Sequence, residues 1–575
     1  MERKEKKELM VYDLKTPRVP RLAGWQLRFA VRLAESSLTG SILHGQMLKN
    51  IGFESFRETI SMDEIAMGPL LPRTLTLSED KASLDSFSEA TSQSDNSDFR
   101  FETCAEFREA YVSGACTPLD VAQRVLQNLK KSTAHRPAMA IFIAQESDDL
   151  LKQAEASTKR YQDGQPLGPL DGIPVPVKDE LDQTPYPTTG GTRFLQDKRP
   201  VTEDATVVAR LRAQGALLIG KVNMHELGIG VTGMNAHYGA ARNPYDPACF
   251  TGGSSSGSAA AVAGGFGPIA IGADGGGSIR IPAALCGVVG LKPTFGRVSE
   301  HGAVPLCWSV AHVGPLAASV ADCALGFSMM AGEDPHDLNT KHRPPVNLQN
   351  WQNDDLNGTR IGIFTPWFED AEEEIVTACK MGIQNLQDAG ATIVEIPVAH
   401  LDLLRLSHLT TIGIEMATSQ IPYEREHSKD YGLDTRLNLA LARGLSPTDY
   451  VHAQRHRQFL CHQFAKIYEE VDVIATPSTG CVSKPIPADA LPHGESNLEL
   501  LSHIMRFAAP ANLLGLPAIS CPIGYAQTKM PMGIQFMGRP FDERRLLQLA
   551  HVIERNTVKQ APLWYEPLLQ SSAPS

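Results

Sequence analysis

Two serine-bearing glycine turns lie between residues 250 and 293, joined by a run of small apolar residues. The first turn reads GGSSSG from residue 252, and the second reads DGGGS from residue 274. They place Ser254 and Ser278 24 residues apart, and upstream Lys178 stands alone in the apolar run PVPVKD. One lysine and two serines on glycine-supported backbone can form a nucleophilic site without histidine.

Each of these residue types has a part in such chemistry. A serine hydroxyl attacks poorly at neutral pH unless a neighbouring base takes its proton. A lysine is that base only as a neutral amine, and apolar surroundings such as those of Lys178 favour the neutral form. A second serine can relay the proton, while the glycines before Ser278 let backbone amides face a developing oxyanion.

Other interpretations of these segments are less consistent with the residues around them. A flexible Gly/Ser linker is not expected before the runs AAAVA and PIAI, which are typical of a buried helix and a buried strand. A phosphate-binding loop requires a lysine that this tract lacks. For Lys178 alone, a solvated surface position is the ordinary expectation, and only its combination with the two serine turns favours catalysis.

The motifs resemble those of the amidase signature family. The resemblance is carried by GGSSSGSAAAVAGG, by DGGGSIRIPAALCGVVGLKPTFGRVS and by the upstream PLDGIPVPVKDELD. It continues with KVNMHELGIG, ANLLGLPAISCPIGY and MPMGIQFMGRP, in the family's order, from about residue 102 to residue 565. The resemblance therefore covers most of the chain.

The resemblance implies a Ser–Ser–Lys triad that hydrolyses amides without a cofactor or a metal. Ser278 matches the nucleophile that becomes acylated, Ser254 the bridging serine that follows a cis peptide bond, and Lys178 the base. The remaining matched positions are the oxyanion-binding amides of Gly275, Gly276, Gly277 and Ser278, and the supporting residues Ser255 and Arg280.

Segments outside the catalytic motifs resemble the plant-type group of the family, whose members hydrolyse fatty acid amides. They include QAEASTKRYQDG, VDVIATPSTG and IPADALPHGESNLELLSHIMRFAAPANLLG. This implies a lipid amide substrate such as an N-acylethanolamine, and a homodimer. Alternatives within the family are a glutaminase subunit of a tRNA-dependent amidotransferase, an indoleacetamide hydrolase and a non-enzymatic binding protein.

Strand-like and helix-like segments alternate along the chain, which predicts an α/β fold with a mixed, mostly parallel twisted sheet covered by helices. Strands are predicted at 216–221, 360–365, 391–396, 471–477 and 517–524, and helices at 202–214 and 542–555. We predict the amidase signature catalytic domain over residues 101–575. Residues 1–100 are predicted as an extension, with helices over 22–53 and an acidic, Ser-rich loop over 74–98.

Composition restricts the partners and the compartment. The net charge of −12 opposes generic nucleic-acid binding, and the ten cysteines contain no CxxC pair, which favours free thiols inside the cell. The charged start MERKEKKELM is not typical of a signal peptide, and no stretch predicts a membrane span.

The predicted N-terminal helices have three candidate roles: packing on the body of the protein, a lid or dimer contact, or docking to a membrane surface of the endoplasmic reticulum or plasma membrane. A face with Trp25, Phe29 and Leu33 could enter lipid, and Arg21, Arg28 and Arg32 could meet anionic headgroups.

Overall fold

The computed structural model describes residues 11–17, 19–59 and 99–569. The acidic loop predicted over 74–98 lies outside the described residues. Among the described helices, none combines the length and the hydropathy needed to cross a bilayer.

An eleven-stranded sheet runs through the described part of the protein. In spatial order its strands are β11 (Thr392–Glu395), β10 (Arg360–Ile363), β12 (Val473–Pro477), β15 (Pro531–Gly538), β14 (Ala518–Tyr525), β8 (Val289–Lys292), β9 (Val313–Ala317), β7 (Ile269–Ala273), β3 (Pro174–Lys178), β4 (Leu217–Val222) and β2 (Phe142–Ala144). Two further pairs join β1 (Leu22–Ala23) to β13 (Glu495–Ser496), and β5 (Arg242–Asn243) to β6 (Asp246–Phe250).

The α/β class and the mixed sheet are confirmed, but the predicted predominance of parallel pairs is wrong. Within the eleven-stranded sheet, β10 pairs in parallel with β11 and β12, and β3 pairs in parallel with β4 and β7, whereas the other neighbours pair antiparallel. A hairpin joins β14 to β15, and β9 inserts antiparallel between β7 and β8. The alternation of strands and helices along a chain does not determine which strands become neighbours.

Helices cover both faces of the sheet and form the N-terminal extension. Their bounds are α1 (Gly24–Ala34), α2 (Gly40–Asn50), α3 (Phe53–Glu58), α4 (Cys104–Ser113), α5 (Pro118–Ala134), α6 (Ser147–Gln162), α7 (Leu195–Lys198), α8 (Thr206–Ala213), α9 (Ser256–Ala263), α10 (Arg280–Leu285), α11 (Val320–Met330), α12 (Thr365–Phe368), α13 (Glu373–Asp388), α14 (Leu401–Ser419), α15 (Ile421–His427), α16 (Leu433–Arg443), α17 (Pro447–Glu470), α18 (Leu498–Ile504), α19 (Ala509–Leu513) and α20 (Glu543–Arg555). The seven strands and helices predicted by residue number are present, with ends shifted by a few residues.

The strands β7, β3 and β4, toward one edge of the sheet, form because their sequences are apolar on both faces. Every residue of β3, β4 and β7 is buried, as expected of strands that are covered on both sides. Helix α9 has only Ser, Gly, Ala and Val, and it too is buried throughout. Small side chains let this helix lie close to β3 and β7, which brings the first serine turn against the sheet.

The N-terminal extension packs on the helices of the body. Leu27 and Val31 of α1 are buried against Leu437 of α16. In α3, Phe53 and Phe56 lie in a cluster with residues of α14 and α17. The helical prediction for residues 22–53 is confirmed from Gly24 onward, with the break between α1 and α2 at residues 35–39, whereas Leu22 and Ala23 form strand β1 instead.

Candidate active site

The site forms where the carboxyl ends of two parallel strands meet. Lys178 is the last residue of β3, and Ala273 is the last residue of β7, its parallel neighbour. The Lys178 side chain is fully buried. Its Nζ lies 2.8 Å from Oγ of Ser254 and 3.1 Å from the carbonyl oxygen of Ala273. The structure therefore brings the predicted base and the predicted bridging serine into direct contact.

Ser254 and Ser255 lie on the turn that leads into α9. The peptide bond between Gly253 and Ser254 is cis, as the family resemblance implies. The turn is so tight that a Cβ on Gly253 would lie 2.8 Å from the Gly233 amide nitrogen. Ser255 Oγ donates to the Ala273 carbonyl at 3.1 Å, so it ties this turn to the end of β7.

Ser278 ends the loop that follows β7, immediately before α10. Gly277 has φ +110, and a Cβ there would lie 2.5 Å from Ile281, so this position requires glycine. The Gly277 amide donates to the Asp274 carboxylate at 2.6 Å. Among the described residues, the amides of Gly275, Gly276 and Ser278 have no hydrogen-bond partner. The predicted oxyanion site is therefore reduced from four amides to these three.

The Ser278 hydroxyl makes no hydrogen bond with any described residue, so its predicted link to Ser254 is not formed here. Both side chains nevertheless line one cavity with Lys178. Hydrogen bonds of a catalytic site are often completed only when substrate is bound.

A buried ionic cluster holds the loop from beneath. Arg280 donates to the Asp274 carboxylate through Nε at 3.1 Å, to Gln535 at 2.6 Å and to Asn512 at 2.6 Å. Burial alone would raise the pKa of the Asp274 carboxyl, but the Arg280 guanidinium and backbone amides hold it far below its usual range. Arg280 therefore supports the loop, as predicted, by keeping Asp274 charged and fixed.

Comparison with known proteins identifies the family. The family model described as Amidase matches residues 123–547. The chain belongs to the amidase signature family. It is accordingly an amidohydrolase that acts on amides.

Several individual members of the family are similar to this chain. The fatty acid amide hydrolase of Arabidopsis thaliana is 38% identical over 97% of this chain and 96% of its own length. A glutamyl-tRNA(Gln) amidotransferase subunit of Chloroflexus aggregans is 34% identical over 80% of this chain and 97% of its own length. The solved peptide amidase of Stenotrophomonas maltophilia superposes with a TM-score of 0.68, at 28% identity, over 80% of this chain and 98% of its own.

The cavity of this amidase is apolar and reaches from the three predicted triad residues to the N-terminal extension. It has a volume of about 290 Å³. One end contains Lys178, Ser254 and Ser278, and the walls come largely from aliphatic side chains of α14, α16 and α18. The extension contributes Leu14, Met47, Leu48, Ile51 and Phe53. The N-terminal segment is thus part of the cavity wall as well as a packing element.

Two site residues carry no recognisable signal in the sequence. His408, on α14, has Nε2 2.8 Å from the Gly275 carbonyl oxygen, and burial lowers its pKa to about 4, so it is neutral and donates this bond. Glu180 lies two residues after the lysine, with Oε2 2.7 Å from Lys178 Nζ. His408 is far from the motifs along the chain, and an acidic residue after a strand is too common to predict this contact.

Proposed function

We propose that this amidase hydrolyses fatty acid amides, such as N-acylethanolamines, through an acyl-enzyme on Ser278. The observation that carries the proposal is the apolar cavity that begins at the three triad residues and continues to the N-terminal extension. A long acyl chain would occupy it, since each buried methylene contributes roughly 0.8 kcal/mol.

The comparisons support this substrate class over a glutaminase. The similarity to fatty acid amide hydrolases spans 97% of the chain, whereas the amidotransferase relative leaves part of this chain without a counterpart. The family model itself begins at residue 123, after the extension that supplies cavity wall.

The charges in the cavity also oppose free glutamine as the substrate. Its α-carboxylate would need an available cation, but each described lysine or arginine of the wall already faces a carboxylate. The pairs are Lys15 and Arg405 with Asp402, Lys178 with Glu180, and Arg506 with Asp370. A neutral acyl chain needs no cation in the cavity.

The proposed reaction begins when Ser278 Oγ attacks the amide carbon. Its proton passes to Ser254 Oγ, whose own proton passes to the neutral amine of Lys178, and the amides of Gly275, Gly276 and Ser278 bind the oxyanion. The proton returns along the same relay to the leaving nitrogen as the C–N bond breaks. Water then attacks the acyl ester, loses its proton to the relay, and releases the fatty acid and Ser278.

We also propose that the enzyme associates peripherally with membranes through the N-terminal helices. Trp25, Phe29, Leu38 and Ile42 are 76, 56, 84 and 74% exposed. Such side chains suit insertion at a lipid interface, where the substrate would dissolve.

Two residues of the predicted membrane face have other surroundings. Leu33 is half-buried, and Arg21 is paired with Asp489 at 2.6 Å and with Glu495. Arg28 and Arg32 are exposed and stay as proposed contacts to headgroups. A second copy of the chain, in the proposed homodimer, is the competing occupant of this surface.

Chain-length dependence tests the substrate class. For acylethanolamides, kcat/KM is expected to rise by up to about fourfold per methylene until the cavity is filled, because each buried methylene contributes ~0.8 kcal/mol. Met47→Gln should reduce the rate on long chains more than on short ones. The control is Met381→Gln, at a methionine 66% exposed, which should leave both rates unchanged. Faster turnover of glutamine or indoleacetamide than of any acyl amide would contradict the proposal.

A membrane assay tests the surface. Trp25→Ser/Phe29→Ser should reduce co-sedimentation with vesicles of anionic phospholipid, while light scattering reports the oligomeric state. Unchanged co-sedimentation together with dissociation of a dimer would assign the surface to a second copy instead.

A further inference from the structure

The contact between Lys178 and Glu180 adds a fourth polar group to the relay. Their Nζ and Oε2 atoms are 2.7 Å apart, and the side chains are 0% and 8% exposed. Within 4.0 Å of the Glu180 carboxylate, Lys178 is the only cation among the described residues. The neighbouring acid Asp179 faces Lys221 instead, at 3.7 Å.

Three oxygen atoms surround Lys178 Nζ, and they differ in what they can do. The Glu180 carboxylate and the Ala273 carbonyl can only accept hydrogen bonds, whereas the Ser254 hydroxyl can also donate. A neutral amine has two hydrogens and one lone pair. If its hydrogens go to Glu180 and Ala273, at 2.7 and 3.1 Å, the lone pair is left facing the Ser254 hydroxyl at 2.8 Å. This orientation is the one that a base needs.

The same carboxylate also faces the charge that catalysis creates. When the Ser254 proton reaches Lys178, the amine becomes an ammonium in a buried site, where an unpaired charge is costly. The other titratable groups near Glu180 are Glu300 and Cys307, with Glu415 beyond them; none of these can supply a positive charge there. The new ammonium is therefore balanced by Glu180.

We infer that Glu180 is a positioning residue of the relay, an inference that rests on the proposed Ser–Ser–Lys mechanism. It orients the Lys178 amine toward Ser254 before the attack and stabilises the ammonium after it. No bond to Glu180 forms or breaks, since the proton that reaches Lys178 returns through Ser254 to the leaving nitrogen.

The carboxylate has a second, opposing effect on the resting enzyme. In general, a negative charge beside an amine favours the ammonium over the neutral form. Removing the charge should therefore lower the maximal rate and, at the same time, let the neutral amine form at lower pH. A merely structural residue would not produce the second effect.

The test compares pH–rate profiles of the full-length protein, with an acyl amide substrate, for wild type, Glu180→Gln and Glu180→Asp. Rates are normalised to active sites titrated with a fluorophosphonate, so misfolded protein does not count. In Glu180→Gln, kcat/KM should fall by about 10- to 100-fold, the loss typical of a hydrogen bond to a charged group, and its rising acid limb should move to lower pH. Glu180→Asp keeps the charge, so its limb should stay near that of wild type while its rate falls.

Asp171→Asn is the matched control. Asp171 is fully buried and pairs with Arg160 at 2.6 Å, just before the opposite end of β3 from Lys178. Its loss should lower stability and leave the limb in place. A Glu180→Gln enzyme with an unshifted limb would overturn the inference, as would an equal shift in Glu180→Asp. If Lys178→Ala instead retained activity, the proposed triad itself would be wrong.

Discussion

Two buried contacts between a basic and an acidic side chain flank the loop that carries Ser278, and they differ in what the basic group can do. Arg280 contacts Asp274 at 3.1 Å below the loop, while Lys178 contacts Glu180 at 2.7 Å beside the cavity. A guanidinium does not lose its proton in proteins, whereas a buried lysine can. The arginine also donates to Gln535, Asn512 and the Ala508 carbonyl, which fixes its plane.

This difference gives the two basic residues different roles, because Arg280 stabilises the loop whereas Lys178 can take part in proton transfer. The permanent charge of Arg280 keeps Asp274 ionised, and Asp274 in turn accepts from the Gly277 amide, so the loop has one shape. The titratable charge of Lys178 faces a serine hydroxyl and can change during a reaction. Breaking the first pair should therefore mainly affect folding, and breaking the second should mainly affect rate.

Lys178→Ala should have the largest effect on rate. Loss of a general base commonly costs on the order of 10² to 10⁴ in rate. The variant also leaves the buried Glu180 carboxylate without its partner, so some loss of stability is expected beside the loss of rate. Steady-state kinetics measures the loss of rate, and urea unfolding of the same preparation measures the stability of the variant. Near-normal turnover across the pH range would show that another group is the base.

Arg280→Met should have the largest effect on stability. It leaves the Asp274 carboxylate buried without its partner, and breaking such a pair destabilises by about 3–5 kcal/mol. Urea unfolding of Arg280→Met, Asp274→Asn and the double variant measures the coupling between the two side chains. If the double variant is no more stable than the sum of the single losses predicts, the pair does not act as a unit.

His408 gives a smaller effect that depends on pH. Its pKa is about 4 in the folded protein and about 6.5 when unfolded, so between these values only the unfolded chain takes up the proton. Stability should therefore fall as pH drops from 6.5 to 4, by up to ~3 kcal/mol from this residue. The free energy of unfolding is measured against pH for wild type and for His408→Gln, which keeps an N–H donor for Gly275, and the difference isolates the contribution of His408. If the two curves run parallel between pH 6.5 and 4, His408 does not make this contribution.

The sequence predicts which residues lie together in the candidate site better than it predicts the sheet that carries them. Ser254 and Lys178 can be selected from the sequence because each lies in a short motif next to an apolar segment, although the two residues are 76 positions apart. Strand β9 inserts between β7 and β8, the two strands that precede it along the chain, and no local pattern indicates this order. For the same reason the sequence does not indicate His408, whose contact to Gly275 joins residues more than a hundred positions apart.

The predicted role of Lys178 needs one addition for a similar reason. Its apolar neighbours in sequence correctly predict burial, and burial alone favours the neutral amine. A turn after β3, in which the Leu181 amide donates to the Lys178 carbonyl at 3.1 Å, brings the Glu180 carboxylate onto Lys178. Alternation along an extended segment places residues 178 and 180 on one face but does not fix this contact. The contact between Lys178 and Glu180 thus appears only in three dimensions.

The proposed mechanism depends above all on the acylation of Ser278, which can be observed directly. The protein is mixed with an acyl amide, quenched in acid during turnover, digested and analysed by mass spectrometry, with the Ser278→Ala variant treated in parallel. One acyl group is expected on the peptide containing Ser278 and none in the variant. An acyl group on another residue, together with full activity of Ser278→Ala, would contradict it.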